Sequence, residues 1–233
     1  MTDITDDHLI PRSWYPDSTP AQLEKWHFPA CRECNASLGV DEKRILQIFG
    51  LCLDPLDVRA EGIPDRVLRS LDPKRAGNEH DRGARKSERA KILRKLLPAP
   101  TMARYFPGLG PKDSGIDPRN NAPAIQLDAH DTEAFQRVGR KLVRGVVFKM
   151  LDSCYVEETH DIEVYIREEH DLGPLLEILD AHAERQSFHG PVSIRYAVVS
   201  SQKPAGAYEI ILWGRLPVRA LVAPKGSPTG ATE

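Results

Sequence analysis

The sequence lacks the features that mark several common protein classes. Four cysteines in 233 residues, two of them in one CxxC pair, are too few for the disulfide framework of a secreted domain of this length. No apolar signal segment precedes them, and no run of about eighteen apolar residues occurs, so we expect neither export nor a membrane span. We therefore expect the chain in the reducing cytoplasm.

The chain also lacks a strong overall charge. Its formal net charge is −2, so any attraction to nucleic acid must come from a local patch. One such patch lies at residues 82–95, where seven Lys or Arg residues face one carboxylate, Glu88. Arg85, Lys86 and Arg89 are the candidates for contacts with nucleic-acid phosphates, although such a run is more often a solvated helix face.

Apart from these absences, the composition is that of an ordinary globular protein. Hydrophobic residues make up 40% and charged residues 28%, so the chain can bury a sizeable core. Its length suits one large domain or two small ones. The turn-rich residues 98–130 are predicted to be a linker between a first unit, residues 1–97, and a second unit, residues 131–223. Residues 224–233 are predicted to be a disordered tail.

The first unit has the pattern of a strand, a loop, a second strand and a helix. Pro11 favours extended geometry in the residue before it, so residues 7–12 are predicted to be a strand that enters a turn. Residues 23–31 show period-two alternation, which indicates a second strand. Apolar residues then recur at helical spacing and predict a helix from about Asn35 to Leu53. This order of elements is a ββα unit.

The remainder of the sequence predicts an α+β protein with a helical middle and a small C-terminal sheet domain. Helices are indicated by apolar residues at spacings of three and four, and strands by alternation. Thr132 is the candidate N-cap for the first helix of the second unit. The predicted helices after the ββα unit are 64–71, 82–97, one that begins near 131, and 172–183. The predicted strands are 162–166 and three within 192–222.

Three side chains of the ββα unit have the chemistry that phosphodiester hydrolysis needs. His8 follows a carboxylate at a strand end, and a neutral imidazole is suited to take a proton from water near pH 7. The reaction also needs a divalent cation, and hard cations such as Mg²⁺ take oxygen ligands. The carboxylate of Asp7 and the side-chain carbonyl of Asn35 are ligands of this type, and a ββα unit brings both near one point.

The motifs that carry these side chains resemble a known family. DDHLIP (6–11), followed by PACRECNASLG (29–39), resembles the core of the HNH endonuclease superfamily, in particular bacterial HNH-type proteins. The resemblance covers residues 3–53, which is under a quarter of the chain. KLVRGVVF (141–148) is also similar to the segment that comes after the core in such bacterial proteins.

The resemblance implies a role for each matched residue. His8 would be the general base, and Asp7 with Asn35 would hold the catalytic cation. Cys31 and Cys34 would form half of a structural zinc site. The implied cofactors are therefore a divalent cation, Mg²⁺ or Mn²⁺, and a structural Zn²⁺.

The sequence departs from the family pattern in two places. HNH proteins usually carry a middle Asn or His that orients the base through the backbone, and its place here is near Glu24 or Lys25. Zinc-bearing members also carry a CxxC just before the DH, whereas only seven residues precede His8 here. A tetrahedral zinc would need further ligands, such as His27, Cys52 or a less obvious residue. Otherwise the zinc is shared, its other ligands lie upstream, or no zinc is bound.

These observations predict a metal-dependent HNH-like endonuclease that hydrolyses nucleic-acid phosphodiester bonds. DNA rather than RNA is the expected partner. The alternative is a non-catalytic module that binds nucleic acid or protein on a degenerate HNH scaffold. A third possibility is a structural protein in which Cys31 and Cys34 only pack. The sequence does not decide the oligomeric state or the role of the C-terminal domain.

Overall fold

The predicted helices and strands occur in the expected order along the chain. The structure is a computed structural model that describes residues 3–97, 124–151, 156–165, 172–187 and 192–227. The helices are α1 (Arg32–Phe49), α2 (Ile63–Leu71), α3 (Glu79–Lys95), α4 (Ala129–Met150), α5 (Val156–Thr159) and α6 (Gly173–His182). The strands are β1 (Ile4–His8), β2 (His27–Cys31), β3 (Leu96–Leu97), β4 (Ala124–Ile125), β5 (His160–Tyr165), β6 (Glu184–Ser187), β7 (Val192–Val198), β8 (Gly206–Leu212) and β9 (Leu216–Pro224).

The predicted α+β class is confirmed by this mixture of helices and antiparallel sheets. The described part of the chain contains no helix that is both long enough and apolar enough to cross a bilayer. Most of the predicted linker, residues 98–123, lies outside the described residues, as do residues 228–233 of the predicted tail.

The ββα order at the N-terminus is observed. Strands β1 and β2 pair antiparallel, and His8 lies opposite His27 at the end of the hairpin where the connecting loop begins. Helix α1 follows β2 at once and begins at Arg32, earlier than the predicted Asn35. It begins there because Cys31 is the N-cap and its Sγ accepts a hydrogen bond from the Cys34 amide at 3.0 Å.

The C-terminal sheet has five antiparallel strands in the order β5-β9-β8-β7-β6. Strands β5, β7, β8 and β9 were expected from their alternation, whereas β6 was not. One face of the sheet is apolar and includes Ile194, Ile210 and Val218, all of which are buried. Side chains alternate between the two faces of the sheet, so this apolar face is buried against the rest of the protein.

Helix α4 packs between the N-terminal ββα unit and the C-terminal sheet. It packs on α1 and β2 on one side and on β5 and β9 on the other. Its N-terminus is held by a capping box between Asp128 and Asp131, so the predicted N-cap Thr132 already lies inside the helix. A Cβ on Gly139 would lie 2.7 Å from Val164 Cγ1, so this glycine lets α4 approach the sheet closely.

One hydrophobic cluster contains buried residues from both predicted units. Trp14 in the first unit and Trp213 in the β8–β9 turn are both buried, with their ring centroids 5.2 Å apart. Trp213 Nε1 donates a hydrogen bond to the Trp14 carbonyl at 2.8 Å. The division at residues 97 and 131 stays a prediction, and the packing joins the two units through a shared core.

Candidate functional site

His8, the predicted general base, lies at the end of β1 with its ring edge-on to His27 and the two centroids 4.1 Å apart. Arg12 Nε donates a hydrogen bond to His8 Nε2 at 2.6 Å. Since a guanidinium only donates, this Nε2 carries no proton, and a neutral His8 carries its proton on Nδ1. That Nδ1 is buried and has no hydrogen-bond partner among the described residues.

The surroundings of His8 favour its neutral form. Burial is the largest cause that lowers the pKa of His8 below 6.5, followed by the charges of His27 and Arg12. The Asp7 carboxylate opposes this shift without reversing it. A neutral imidazole is the form that accepts a proton, so the lowered pKa suits a general base.

Asp7 is buried and paired with a lysine that lies 134 positions further along the chain. Lys141 Nζ, on α4, donates to Asp7 Oδ1 at 2.9 Å and also contacts Glu42 Oε1 on α1. The Lys141 side chain is 1% exposed and the Asp7 side chain 7%. Burial raises the pKa of Glu42, while the neighbouring Lys141 charge opposes the rise. The second Asp7 oxygen, Oδ2, is buried without a partner among the described residues.

Asn35, the second predicted cation ligand, lies in the first turns of α1 and faces β1. Its Nδ2 donates to Thr5 Oγ1 at 3.3 Å, and Thr5 Oγ1 in turn donates to the Ala30 carbonyl at 3.2 Å. Because this hydrogen bond uses the amide nitrogen, it leaves the side-chain oxygen available. The orientation of Asn35 toward β1 therefore agrees with the role that the resemblance implies.

The alternation of side chains along β1 decides which of these groups share a face. Thr5 and Asp7 point toward α1, where Asn35 lies, whereas His8 points to the opposite side of the strand. Thr5 and Asp7 are about 7 Å apart along the strand at this geometry. Asp7 and Asn35 therefore share a face, and His8 lies at its edge, where the strand ends.

The donor set fits a hard divalent cation. Among the described residues, no three His, Cys, Asp or Glu side chains form a metal-binding cluster. Mg²⁺ needs fewer protein ligands, because it usually keeps several waters and binds one or two carboxylates together with substrate phosphate. The unpartnered Asp7 Oδ2 and the Asn35 side-chain oxygen are ligands of this kind. The Lys141 ammonium beside Asp7 competes with a cation for the same carboxylate.

Cys31 and Cys34, the predicted zinc ligands, are joined in a disulfide with their Cα atoms 5.2 Å apart. Neither suggested additional ligand is in reach of a zinc ion there. His27 is four residues along an extended strand, about 13 Å away. Cys52 follows the far end of the 18-residue α1, about 27 Å away, and burial raises its pKa to about 12. The zinc site stays a prediction that would need this disulfide to be reduced to two thiolates and further ligands from outside the described residues.

The basic residues of α3 divide into an inner and an outer set. Arg85 is half-buried and donates to Asp81 and to the Arg69 carbonyl, both at 2.9 Å, so it holds α3 against its own first turn and α2. Lys86 and Arg89 are exposed and form no ion pair with a described residue. Arg82 lies on the same helical face and pairs with Glu79. The exposed cationic face is therefore Arg82, Lys86 and Arg89.

Sequence reasoning did not identify the closest neighbours of the predicted site residues. Arg12 and His27 contact His8, and Glu42 and Lys141 surround Asp7. The residue opposite His8 on β2 is His27, whereas Glu24 and Lys25, near which the family pattern has its middle Asn or His, come just before the strand. A signal for His27 was its position in the second strand, whereas Lys141 is separated from Asp7 by 134 positions and had none.

Comparisons of this chain with protein-family models, with curated proteins and with solved structures found no match. Its function is therefore inferred from the residues and their geometry.

Proposed function

We propose that this protein is a metal-dependent, HNH-like endonuclease that hydrolyses nucleic-acid phosphodiester bonds, with DNA as the substrate. The observation that carries the proposal is the buried, unpartnered Asp7 Oδ2 on the α1-facing side of a ββα unit. It shares that face with Asn35, and a neutral His8 stands next to it at the strand end. A carboxylate oxygen, an amide oxygen and a base are the groups that such hydrolysis needs.

Each residue would contribute a separate step. A divalent cation bound by Asp7 and Asn35 would stabilise the charge that develops on the scissile phosphate and the leaving oxygen. His8 would take a proton from the attacking water at Nε2. Arg12 occupies that nitrogen with a hydrogen bond, and its permanent charge would turn to an incoming phosphate, which frees Nε2 for the water.

The second candidate is a non-catalytic module that binds nucleic acid or protein on the same scaffold. Two observations favour it. The Lys141 ammonium already pairs with Asp7, and the Arg12 guanidinium already satisfies His8 Nε2. A site that had lost catalysis would tolerate both contacts permanently.

Nicking of supercoiled plasmid by the purified chain, with Mg²⁺ or Mn²⁺, distinguishes the two. We expect cleavage that needs the cation and is lost in His8→Ala and in Asp7→Asn. His130→Ala is the matched control, because His130 is 78% exposed at the start of α4 and away from the site. No cleavage by the wild type, together with intact DNA binding, would support the binding module instead.

The surface that we propose for DNA is the exposed face of α3. Arg82, Lys86 and Arg89 lie three and four residues apart, so their charges lie along one side of the helix. A chain with a net charge of −2 needs such a local patch to bind a polyanion. Replacing all three by Gln should weaken DNA binding and reduce the slope of log affinity against log salt by about 0.9 for each lost phosphate contact.

The matched control neutralises three exposed cations in other elements, namely Lys149, Lys203 and Lys225. It changes the net charge by the same amount and should leave most of the salt slope intact. Equal effects of the two triple variants would mean that overall charge, and not the α3 face, controls binding.

A further inference from the structure

The ion cluster around Lys141 is not electrically balanced. Its ammonium lies between the carboxylates of Asp7 and Glu42, which gives the three groups a formal charge of −1. The side chains of Lys141, Asp7 and Glu42 are 1%, 7% and 14% exposed. A buried excess charge is costly, and proteins usually pair such groups or use them to bind a cation.

The other ion clusters between α1 and α4 show that balance is possible at this interface. Arg137 binds Asp41 through two hydrogen bonds, of 2.7 and 3.0 Å, one turn away from Lys141. At the start of α4, two acids and two bases meet: Asp128, Asp131, Arg44 and Lys95. The cluster at the start of α4 is balanced, whereas Arg137 also pairs with Glu133 at 3.7 Å, so its cluster carries the excess negative charge at the surface. In the cluster around Lys141, by contrast, the excess negative charge is buried and includes the proposed cation ligand Asp7.

The unpartnered Asp7 Oδ2 is the atom of this cluster that is left to bind a cation. Lys141 binds only Oδ1, so the second oxygen is buried without a hydrogen bond from the described residues. Such an oxygen is expensive to bury unless a ligand satisfies it. The geometry thus assigns the two oxygens of one carboxylate to two different positive charges.

We propose that Lys141 and Glu42 are positioning residues that set the charge at Asp7 and thereby the affinity of the site for its divalent cation. Lys141 holds Oδ1 and leaves Oδ2 to the cation, and Glu42 shares the ammonium, which keeps one negative charge in excess. The inference rests on the proposed function, since the cation is the one required there. It further implies weak cation binding without substrate, which becomes tight when a nucleic-acid phosphate adds its charge.

A charge series on the full chain tests this role. Lys141→Met changes the formal charge of the cluster from −1 to −2, and Glu42→Gln changes it to 0. The double variant has the wild-type charge of −1. Binding of Mn²⁺ in the absence of nucleic acid is measured by the loss of the electron paramagnetic resonance signal of free Mn²⁺. We expect Lys141→Met to bind on the order of tenfold more tightly than the wild type and Glu42→Gln on the order of tenfold more weakly. The double variant should bind like the wild type.

The controls separate charge from structure. Asp41→Asn removes a carboxylate from the neighbouring Arg137 cluster and should leave Mn²⁺ affinity within about twofold, because two hydrogen bonds from the half-exposed Arg137 guanidinium already offset its charge. Asp7→Asn should abolish binding at this site. If Lys141→Met does not fold, Glu42→Gln and the double variant still decide the question, since the first must weaken binding and the second must restore it.

Two results would overturn the inference in different ways. If the wild type binds Mn²⁺ through Asp7 but both single variants shift the affinity in the same direction, or the double variant does not restore it, then the two residues act only as structural supports. In that case the proposed nuclease function still stands. If the wild type binds no Mn²⁺ through Asp7, even with DNA present, then the proposed function and this inference both fail.

Discussion

Gly145 on α4 offers a direct test of the packing that brings Lys141 to the site. A Cβ on Gly145 would overlap Leu9 Cδ1 and would lie 3.2 Å from Leu9 Cγ and 3.3 Å from Phe28 Cδ1. Both side chains are buried, and Leu9 follows His8 directly. Gly145 therefore lets α4 approach the β1–β2 hairpin more closely than any other residue would allow.

The magnitude of Gly145→Ala follows from two opposed effects. Alanine in place of glycine within a helix gains about 1 kcal/mol of stability. An extra methyl in a packed core costs about 1–3 kcal/mol, and contact with two buried side chains puts this site in the upper half of that range. We expect a net loss of about 1–2 kcal/mol in the free energy of unfolding.

Gly83→Ala is the matched control. Gly83 lies in the exposed helix α3, and a Cβ there would meet no atom within 4 Å. It should gain about 1 kcal/mol, so the two variants should differ by about 2–3 kcal/mol in urea unfolding, compared at equal slope. If Gly145→Ala stabilised the protein as much as Gly83→Ala does, α4 would not pack against the hairpin as described. The contact between Lys141 and Asp7 would then also be in doubt.

Three further predictions concern other contacts of the structure. Burial and the charges of His27 and Arg12 lower the pKa of His8, so an NMR titration should give a value below 6.5, and Arg12→Ala should raise it. The His8 pKa is higher in the unfolded chain than in the folded one, so the stability that His8 contributes above pH 6.5 is lost as pH falls from 6.5 through the folded pKa. An unshifted His8 pKa would contradict this. Asp131→Ala should cost about 2–3 kcal/mol in denaturant unfolding, because it removes the N3 half of the capping box and the buried carboxylate that binds Arg44 and Lys95, and a loss below about 1 kcal/mol would contradict it. Trp213→Phe leaves the buried Trp14 carbonyl unpaired and should cost about 1–3 kcal/mol, whereas a neutral result would speak against that hydrogen bond.

The local order of elements could be predicted because it depends on short-range patterns. Alternation marked β2, β7, β8 and β9, and spacings of three and four marked α1, α2 and α4. Boundaries were less accurate where a cap decided them. The Cys31 Sγ caps α1 and starts it before Asn35, and Asp128 starts α4 before Thr132. Strand β6 has no alternating apolar residues and exists because it pairs with β7.

The candidate site was only half predictable. His8, Asp7 and Asn35 belong to one local ββα unit, so their proximity follows from the order of elements. Their neighbours come from contacts that no local pattern encodes. Lys141 reaches Asp7 from α4, and Arg85 turns inward to Asp81 and α2, although all its neighbours in sequence suggested a basic surface.

The sequence by itself determined the α+β class, the ββα order and the chemical types available near the strand end, because these depend on backbone propensity and on residue identity. Tertiary structure alone decided the electrostatics of those side chains. The pKa of His8 depends on its burial and on His27 and Arg12, and the charge at Asp7 depends on Lys141 and Glu42. Electrostatic interactions depend on distance in space and on the exclusion of water, and the folded chain sets both of these.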